Sequence, residues 1–318
     1  MDADIAALIP ILEADTEQRL AQLQTDVAGL RKMRAELSAA TERTGPDVKL
    51  QEDRTVAGPA GPVPVRVFVP HGKVHGVYLH VHGGGWVLGS ERGGDPTLRR
   101  LASEAGVAVV SVGYRLAPEH PYPAGLDDCM AVARWVESNM ASFGIDDERA
   151  IAVGGESAGG NLAAALLLRR RDEGEMPFRA AVLTFGVFTA ELDLPSMTEL
   201  WDRKLVLSGP IMQHFVEAYA KGRDLKHPYI SPLHADLKGM PPALFLVGTA
   251  DHLYSDTMQM ADAWRRAGGE IELREYAGAP HGFTGMPLEC GRAAIGEQAG
   301  FLSRSIGKEA MAFAAGPN

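Results

Sequence analysis

The chain has 318 residues, 46% of them apolar, which suffices for one large α/β domain with additions or for two smaller domains. Its 31 basic and 41 acidic residues leave a formal charge of −10, the wrong sign for nucleic acid or an anionic membrane as a partner. The two cysteines, Cys129 and Cys290, form no C-x-x-C pair and are too few for a disulfide framework, so both are expected as packed small side chains in a reducing compartment.

The opening MDADIAALIPILEAD is acidic where a signal peptide is basic, and Pro10 interrupts its apolar run. No uncharged apolar stretch reaches the ~18 residues needed to span a bilayer, and a cytoplasmic protein is expected. Ile5, Leu8, Ile9 and Leu12, then Leu20, Leu23, Val27, Leu30 and Leu37, recur at helical spacing and predict two amphipathic helices between Ile5 and Glu42. Up to Arg43 the segment carries eight acidic and five basic side chains, which disfavours a membrane-surface anchor. The two apolar faces are expected to rest on the protein's own body.

From about residue 50 short β-rich runs take over. VPVRVFVP, GVYLHVHG, VAVVSVGY, AIAVGGE, AAVLTFG, PALFLVGTAD and EIELREYAG read as strands. Helical patterns lie between several of them, at Asp95 to Ala105, Asp127 to Met140, Ala158 to Arg171, Ser255 to Ala267 and Arg292 to Ser305. Such alternation predicts an α/β fold, a mainly parallel sheet covered on both faces, with the early strands adding an antiparallel edge. One segment, about Thr189 to Asp236, interrupts the alternation with helical pieces such as SGPIMQHFVEAYAKG and is expected to join the N-terminal helices as a cap. The expected division is 1–45 for the N-terminal part of the cap, 46–188 for the first part of the core, 189–236 for the cap insertion and 237–318 for the rest of the core. The closing AFAAGPN is expected to fray.

The first stretch that carries chemistry is YLHVHGGGWVLGS, a strand running into three glycines. A dinucleotide fingerprint fails because the third glycine position falls on Leu88, and a P-loop fails because Gly89 is followed by Ser90-Glu91. His80 and His82 stand two apart, yet no further ligand follows in GGGWVLGS, so no metal is expected. The second stretch, AIAVGGESAGGNLAAALLLRR, holds Gly155-Glu156-Ser157-Ala158-Gly159 where a strand gives way to a helix, the setting in which G-x-S-x-G marks a nucleophile. Flanking glycines let Ser157 occupy a strained turn with its Oγ above the sheet.

A serine nucleophile needs a base, and the base an orienting acid. His281, in EYAGAPHGF after the last strand, falls at the carboxyl edge of the sheet, where open α/β sheets place their sites. Asp251 directly follows PALFLVGTA and is the expected acid; Asp256 is the alternative, although capping a helix accounts for it. The oxyanion made by attack on an acyl carbonyl needs N–H donors, expected from Gly83, Gly84 and Ala158. Trp86 is read either as loop packing or as pocket lining, and Glu156 as a hydrogen-bonded brace under the turn that also borders the pocket.

With HGGGW, GESAGG and PHGF in this order, and YRLAPEHPYPAGLDDC after Val112, the chain from about 50 to 305 resembles the bacterial hormone-sensitive-lipase-like (family IV) carboxylesterases of the α/β-hydrolase superfamily. The resemblance implies an eight-stranded, mostly parallel sheet, a helical cap, and hydrolysis of short- to medium-chain small-molecule esters without a cofactor; a homodimer is compatible with it. An amidase, carbamate hydrolase or acyltransferase using the same residues is the alternative, and a hydrolase-like binding module, as in the plant gibberellin receptors, is disfavoured by the presence of His281. Gly113, Glu156 and Ser255 depart from the family's usual residues, which bears on subfamily and pH behaviour rather than on the reaction.

Overall fold

Runs of Val, Ile and Leu bounded by glycine become strands buried on both faces, and the amphipathic stretches between them become the covering helices. A computed structural model describes residues 3–23, 26–39, 45–147 and 149–307. Two N-terminal helices, α1 (Ala3–Leu23) and α2 (Val27–Ala39), precede a hairpin of β1 (Leu50–Gly58) and β2 (Gly61–Val69). There follow β3 (Val77–Val81), α3 (Asp95–Ala105), β4 (Ala108–Val112), α4 (Ala124–Ser138), β5 (Ile151–Glu156), α5 (Ala158–Asp172) and β6 (Phe178–Thr184). Two helices, α6 (Pro195–Glu199) and α7 (Gly209–Ala220), separate β6 from β7 (Ala243–Gly248), and α8 (Tyr254–Arg266), β8 (Ile271–Tyr276) and α9 (Glu289–Ser305) complete the order.

The eight strands form one sheet in the order β1-β2-β4-β3-β5-β6-β7-β8, antiparallel at β1-β2 and β2-β4 and parallel from β4 onward. β3, β4 and β7 are buried throughout, as strands covered on both faces must be. Because β3, β5, β7 and β8 run parallel, the loops leaving them open on one carboxyl edge, and the direction of connection reverses between the neighbours β3 and β5, the usual position of a site in such sheets.

The α/β class, the antiparallel edge and the positions of the core helices agree with the sequence reading. The missed strand is β1. Its LQEDRTVAG is mostly polar and only Val56 is buried, because β1 is an edge strand whose stability comes from a full ladder with β2 running from Leu50–Val69 to Gly58–Gly61. The predicted reach of the second helix to Glu42 and the fraying of AFAAGPN fall outside the described residues.

The N-terminal helices rest on the rest of the chain. Ile5, Leu23 and Leu30 are buried, and Thr16 Oγ1 accepts the Val206 N–H at 2.9 Å. From α2, Arg34 donates to the carbonyls of Val87 and Ala117 at 2.8 and 2.7 Å and to Glu119 at 2.7 Å. Burial opposes ionisation of Glu119, but the Arg34 and Arg31 contacts hold its carboxyl down to about 2. Among the described residues no helix is long and apolar enough to cross a membrane.

Candidate active site

Ser157 stands between β5 and α5 with φ 56° and ψ −120°, a conformation costly for a residue with a Cβ. The surrounding glycines make the turn possible. A Cβ on Gly159 would lie 1.9 Å from the Val81 carbonyl oxygen, and one on Gly155 2.1 Å from the same atom, so β3 closes on the elbow only because both side chains are missing. Ser157 N–H donates to the Thr184 carbonyl at 3.0 Å, which fixes the turn to β6.

His281, in the loop after β8, places Nε2 3.0 Å from Ser157 Oγ. Its Nδ1 lies 3.1 and 2.8 Å from the two carboxylate oxygens of Asp251, in the loop after β7. With Nδ1–H donated to Asp251, Nε2 is left as the acceptor for the serine hydroxyl. Asp251 is fully buried and also accepts the Leu253 N–H at 2.8 Å, while the Phe185 ring meets the imidazole edge to face at 4.8 Å. The three side chains named from sequence are thus brought into one hydrogen-bonded row.

The HGGGW loop faces this row. A Cβ on Gly83 would sit 2.9 Å from the Glu156 carbonyl oxygen, and Gly84 has φ +113° with no room for a side chain against Leu88. Neither Gly83 nor Gly84 donates its N–H to a protein acceptor among the described residues, and Ala158, the first residue of α5, has no intrahelical acceptor. Three donors therefore stay available around Ser157. His82 braces the loop through a 2.8 Å contact of Nδ1 with its neighbour's carbonyl and a stack on Tyr114; burial pushes its pKa down to about 4, so it stays neutral.

Trp86 sits behind the loop, not in the cleft wall. It is buried, stacks on Tyr219 of α7 with ring centres 4.4 Å apart, and donates Nε1–H to Asn161 at 3.3 Å. Of its two readings, loop packing describes its position. Glu156 does border the cleft, with His80 Nε2 2.9 Å from its Oε2. At Gly113, a Cβ would lie 2.6 Å from Glu91 Oε2, so a carboxylate from a different position fills the space beside this departure from the family pattern.

The cleft has a volume of about 340 Å³. Arg19 of α1, Leu37 of α2, Val206, Leu207 and Phe215 border it, and the sequence marks none of them as a site residue, Leu37 standing only among the apolar helical positions. Burial lowers the Arg19 pKa, with Asp15 opposing. No local pattern marks these residues, since their place depends on how α1, α2 and α7 lie across the core.

Asp256, the alternative acid, points elsewhere: its Oδ2 accepts the N–H groups of Phe188 and Thr189 at 2.7 and 3.2 Å. Burial, with Asp251 adding repulsion, raises its pKa to about 8 against those two bonds. The folded protein then holds a proton that the unfolded chain releases near pH 4, so this group makes stability fall as pH rises from about 4 to about 8, by about 1.4 kcal/mol per unit at most. Asp256→Asn is expected to remove that slope: in urea titrations from pH 5 to 8 the variant gains on the wild type as pH rises, and parallel curves would contradict the assignment.

A family model for the α/β hydrolase fold matches residues 78–285, a span that includes Ser157, Asp251 and His281. Carboxylesterase NlhH of Mycobacterium tuberculosis is 38% identical over 252 residues, covering 76% of this chain and 78% of that protein. Among solved structures, a hyperthermophilic esterase from the archaeon Pyrobaculum calidifontis superposes with a TM-score of 0.83 at 35% identity, covering 92% of this chain and 97% of that one. An α/β hydrolase enzyme from the metagenome of Lake Arreo, Spain, reaches a TM-score of 0.87 at 32% identity over 95% of this chain and 98% of that one. The chain belongs to the α/β-hydrolase family, in its hormone-sensitive-lipase-like branch.

Proposed function

We propose that the protein is a serine carboxylesterase in which Ser157 is the nucleophile, His281 the general base and Asp251 the residue that orients it. The observation that carries this reading is the row from Ser157 Oγ through His281 to Asp251, with links of 3.0 and 2.8 Å, facing the unpaired N–H groups of the glycine loop.

Ser157 Oγ bonds to the ester carbonyl carbon while its proton passes to His281 Nε2. The negative charge on the carbonyl oxygen is met by the N–H groups of Gly83, Gly84 and Ala158, each such donor being worth roughly 10²–10³ in rate. As the tetrahedral intermediate collapses, the C–O bond to the alcohol breaks and His281 returns the proton to the departing oxygen. Water then attacks the acyl-serine, giving its proton to the same nitrogen, and the acid leaves as Ser157 recovers its hydrogen.

Residues 1–45 and 189–236 form the cap in this reading, supported by the presence of Arg19, Leu37, Val206, Leu207 and Phe215 along the cleft. The cleft lies near the lower end of the roughly 300–1,000 Å³ usual for small-molecule pockets, which supports short- to medium-chain acyl groups. A cytoplasmic location, argued from two cysteines that form no C-x-x-C pair, and a homodimer, argued from the resemblance alone, complete the proposal.

The test is a series of initial rates on p-nitrophenyl esters from acetate to palmitate with a matched anilide. Expected is rapid turnover of the short esters, a decline toward palmitate and a lower rate on the anilide. Folded protein that turns over none of the esters would sink the reading, and a faster anilide would move it to an amidase.

A further inference from the structure

The catalytic row leaves one carboxylate in the cleft without a task. Glu156 is adjacent to Ser157 in sequence, but its side chain joins a different row, one that crosses three strands: Ser111 Oγ of β4 lies 3.0 Å from His80 Nδ1 of β3, and His80 Nε2 lies 2.9 Å from Glu156 Oε2 of β5. The sheet register sets this up, since His80 pairs with both Ser111 and Gly154. Both nitrogens of His80 are thereby occupied: Nε2–H donates to the carboxylate and Nδ1 accepts from the serine hydroxyl.

Only one oxygen of Glu156 is used. Oε1 has no hydrogen-bond partner among the described residues, and the side chain keeps 20% of its surface exposed at a position bordering the cleft. Thr97, in the first turn of α3, borders the same cleft and has no side-chain hydrogen bond among the described residues.

Gly93 and Gly94 border the same cleft, and neither needs to be glycine for the backbone's sake. Gly94 has φ −129°, and Gly93 is not among the positive-φ residues. A Cβ on Gly93 would meet only the Ser90 carbonyl, at 3.4 Å, and the three nearest atoms to one on Gly94 would belong to Leu98 and His80, at 3.4 to 3.9 Å. What the missing side chains supply is open volume in the cleft that Glu156 and Thr97 also border.

We propose that this side of the cleft is a polar subsite for a hydroxyl group carried by the ester, which donates to Glu156 Oε1 and accepts from Thr97. It rests on the esterase reading and adds a substrate class to it. A carboxylate only accepts hydrogen bonds and a threonine hydroxyl does both, so an incoming hydroxyl satisfies the pair, whereas a methylene would strip water from the carboxylate and replace it with nothing. Charge excludes an anion, which the Glu156 carboxylate repels.

The test compares kcat/KM for ethyl butyrate, the two enantiomers of ethyl 3-hydroxybutyrate and 2-hydroxyethyl butyrate, followed by pH-stat in the wild type, Thr97→Val and Glu156→Gln. Expected is a preference of roughly tenfold for one hydroxylated ester over ethyl butyrate, the size of a hydrogen bond to a charged group. Whether the acyl or the alcohol hydroxyl is preferred identifies the part of the substrate that enters the subsite. In each variant the preference should fall at least several-fold; being a ratio within one preparation, it is insensitive to the fraction of protein folded. Hydroxylated esters turned over no faster than ethyl butyrate by the wild type, or a preference that survives in both variants, would overturn the subsite while leaving the esterase reading intact. Absence of turnover on ethyl butyrate itself would overturn the esterase reading, and the subsite with it.

Discussion

Ser157→Ala and His281→Ala are each expected to lower kcat on p-nitrophenyl butyrate by on the order of 10⁵–10⁶-fold, and the double variant to lose no more than either single one. The reason is mutual dependence: Ser157 Oγ attacks only as its proton passes to the imidazole nitrogen 3.0 Å away, and that nitrogen has no other proton to take in the first step. Removing one partner leaves the other idle, so the losses do not add. A residual rate above water is expected from the glycine-loop donors, which neither substitution touches. Steady-state rates for the three variants, with thermal unfolding to establish that each is folded, settle the matter. A single variant retaining more than about 1% of wild-type kcat would remove that residue from the chemistry, since the loss expected is orders of magnitude larger.

Legibility in the sequence followed the range of the interactions involved. The elbow was readable because strand end, glycines, serine and helix start are contiguous from Ala150 to Arg170, although the reason Gly155 and Gly159 lack side chains lies far away, in the carbonyl of Val81. The HGGGW loop was readable for the same reason. Trp86 stayed divided between two readings because its partner, Tyr219, stands on a helix more than a hundred residues later. The Ser111–His80–Glu156 row was invisible, since it exists only once the strand order places β3 between β4 and β5. Likewise nothing local distinguishes Arg19, which borders the cleft, from Arg31, which remains largely exposed beside Glu119. The polar β1 failed to register because its order comes from pairing with β2 and not from apolar alternation of its own.

The two aspartates after β7 offer the sharpest separation of chemistry from architecture. Asp251→Asn is expected to cut kcat by about 10⁴-fold with KM nearly unchanged, whereas Asp256→Asn should stay within a few-fold of wild type. Both substitutions preserve shape, so packing does not distinguish them. At position 251 the asparagine still accepts the Leu253 N–H through Oδ1, but its amide N–H₂ then faces His281 Nδ1. Two donors cannot share that contact, so the ring shifts its proton to Nε2 and Ser157 loses its acceptor. At position 256 an asparagine oxygen accepts the Phe188 and Thr189 N–H groups, and the amide nitrogen replaces an oxygen that is already protonated at neutral pH. Parallel measurements of kcat and KM on the two variants decide the assignment. If Asp256→Asn proves the crippled enzyme and Asp251→Asn the active one, the orienting acid has been placed on the wrong residue, and the base must reach Asp256 through a loop arrangement different from the one described.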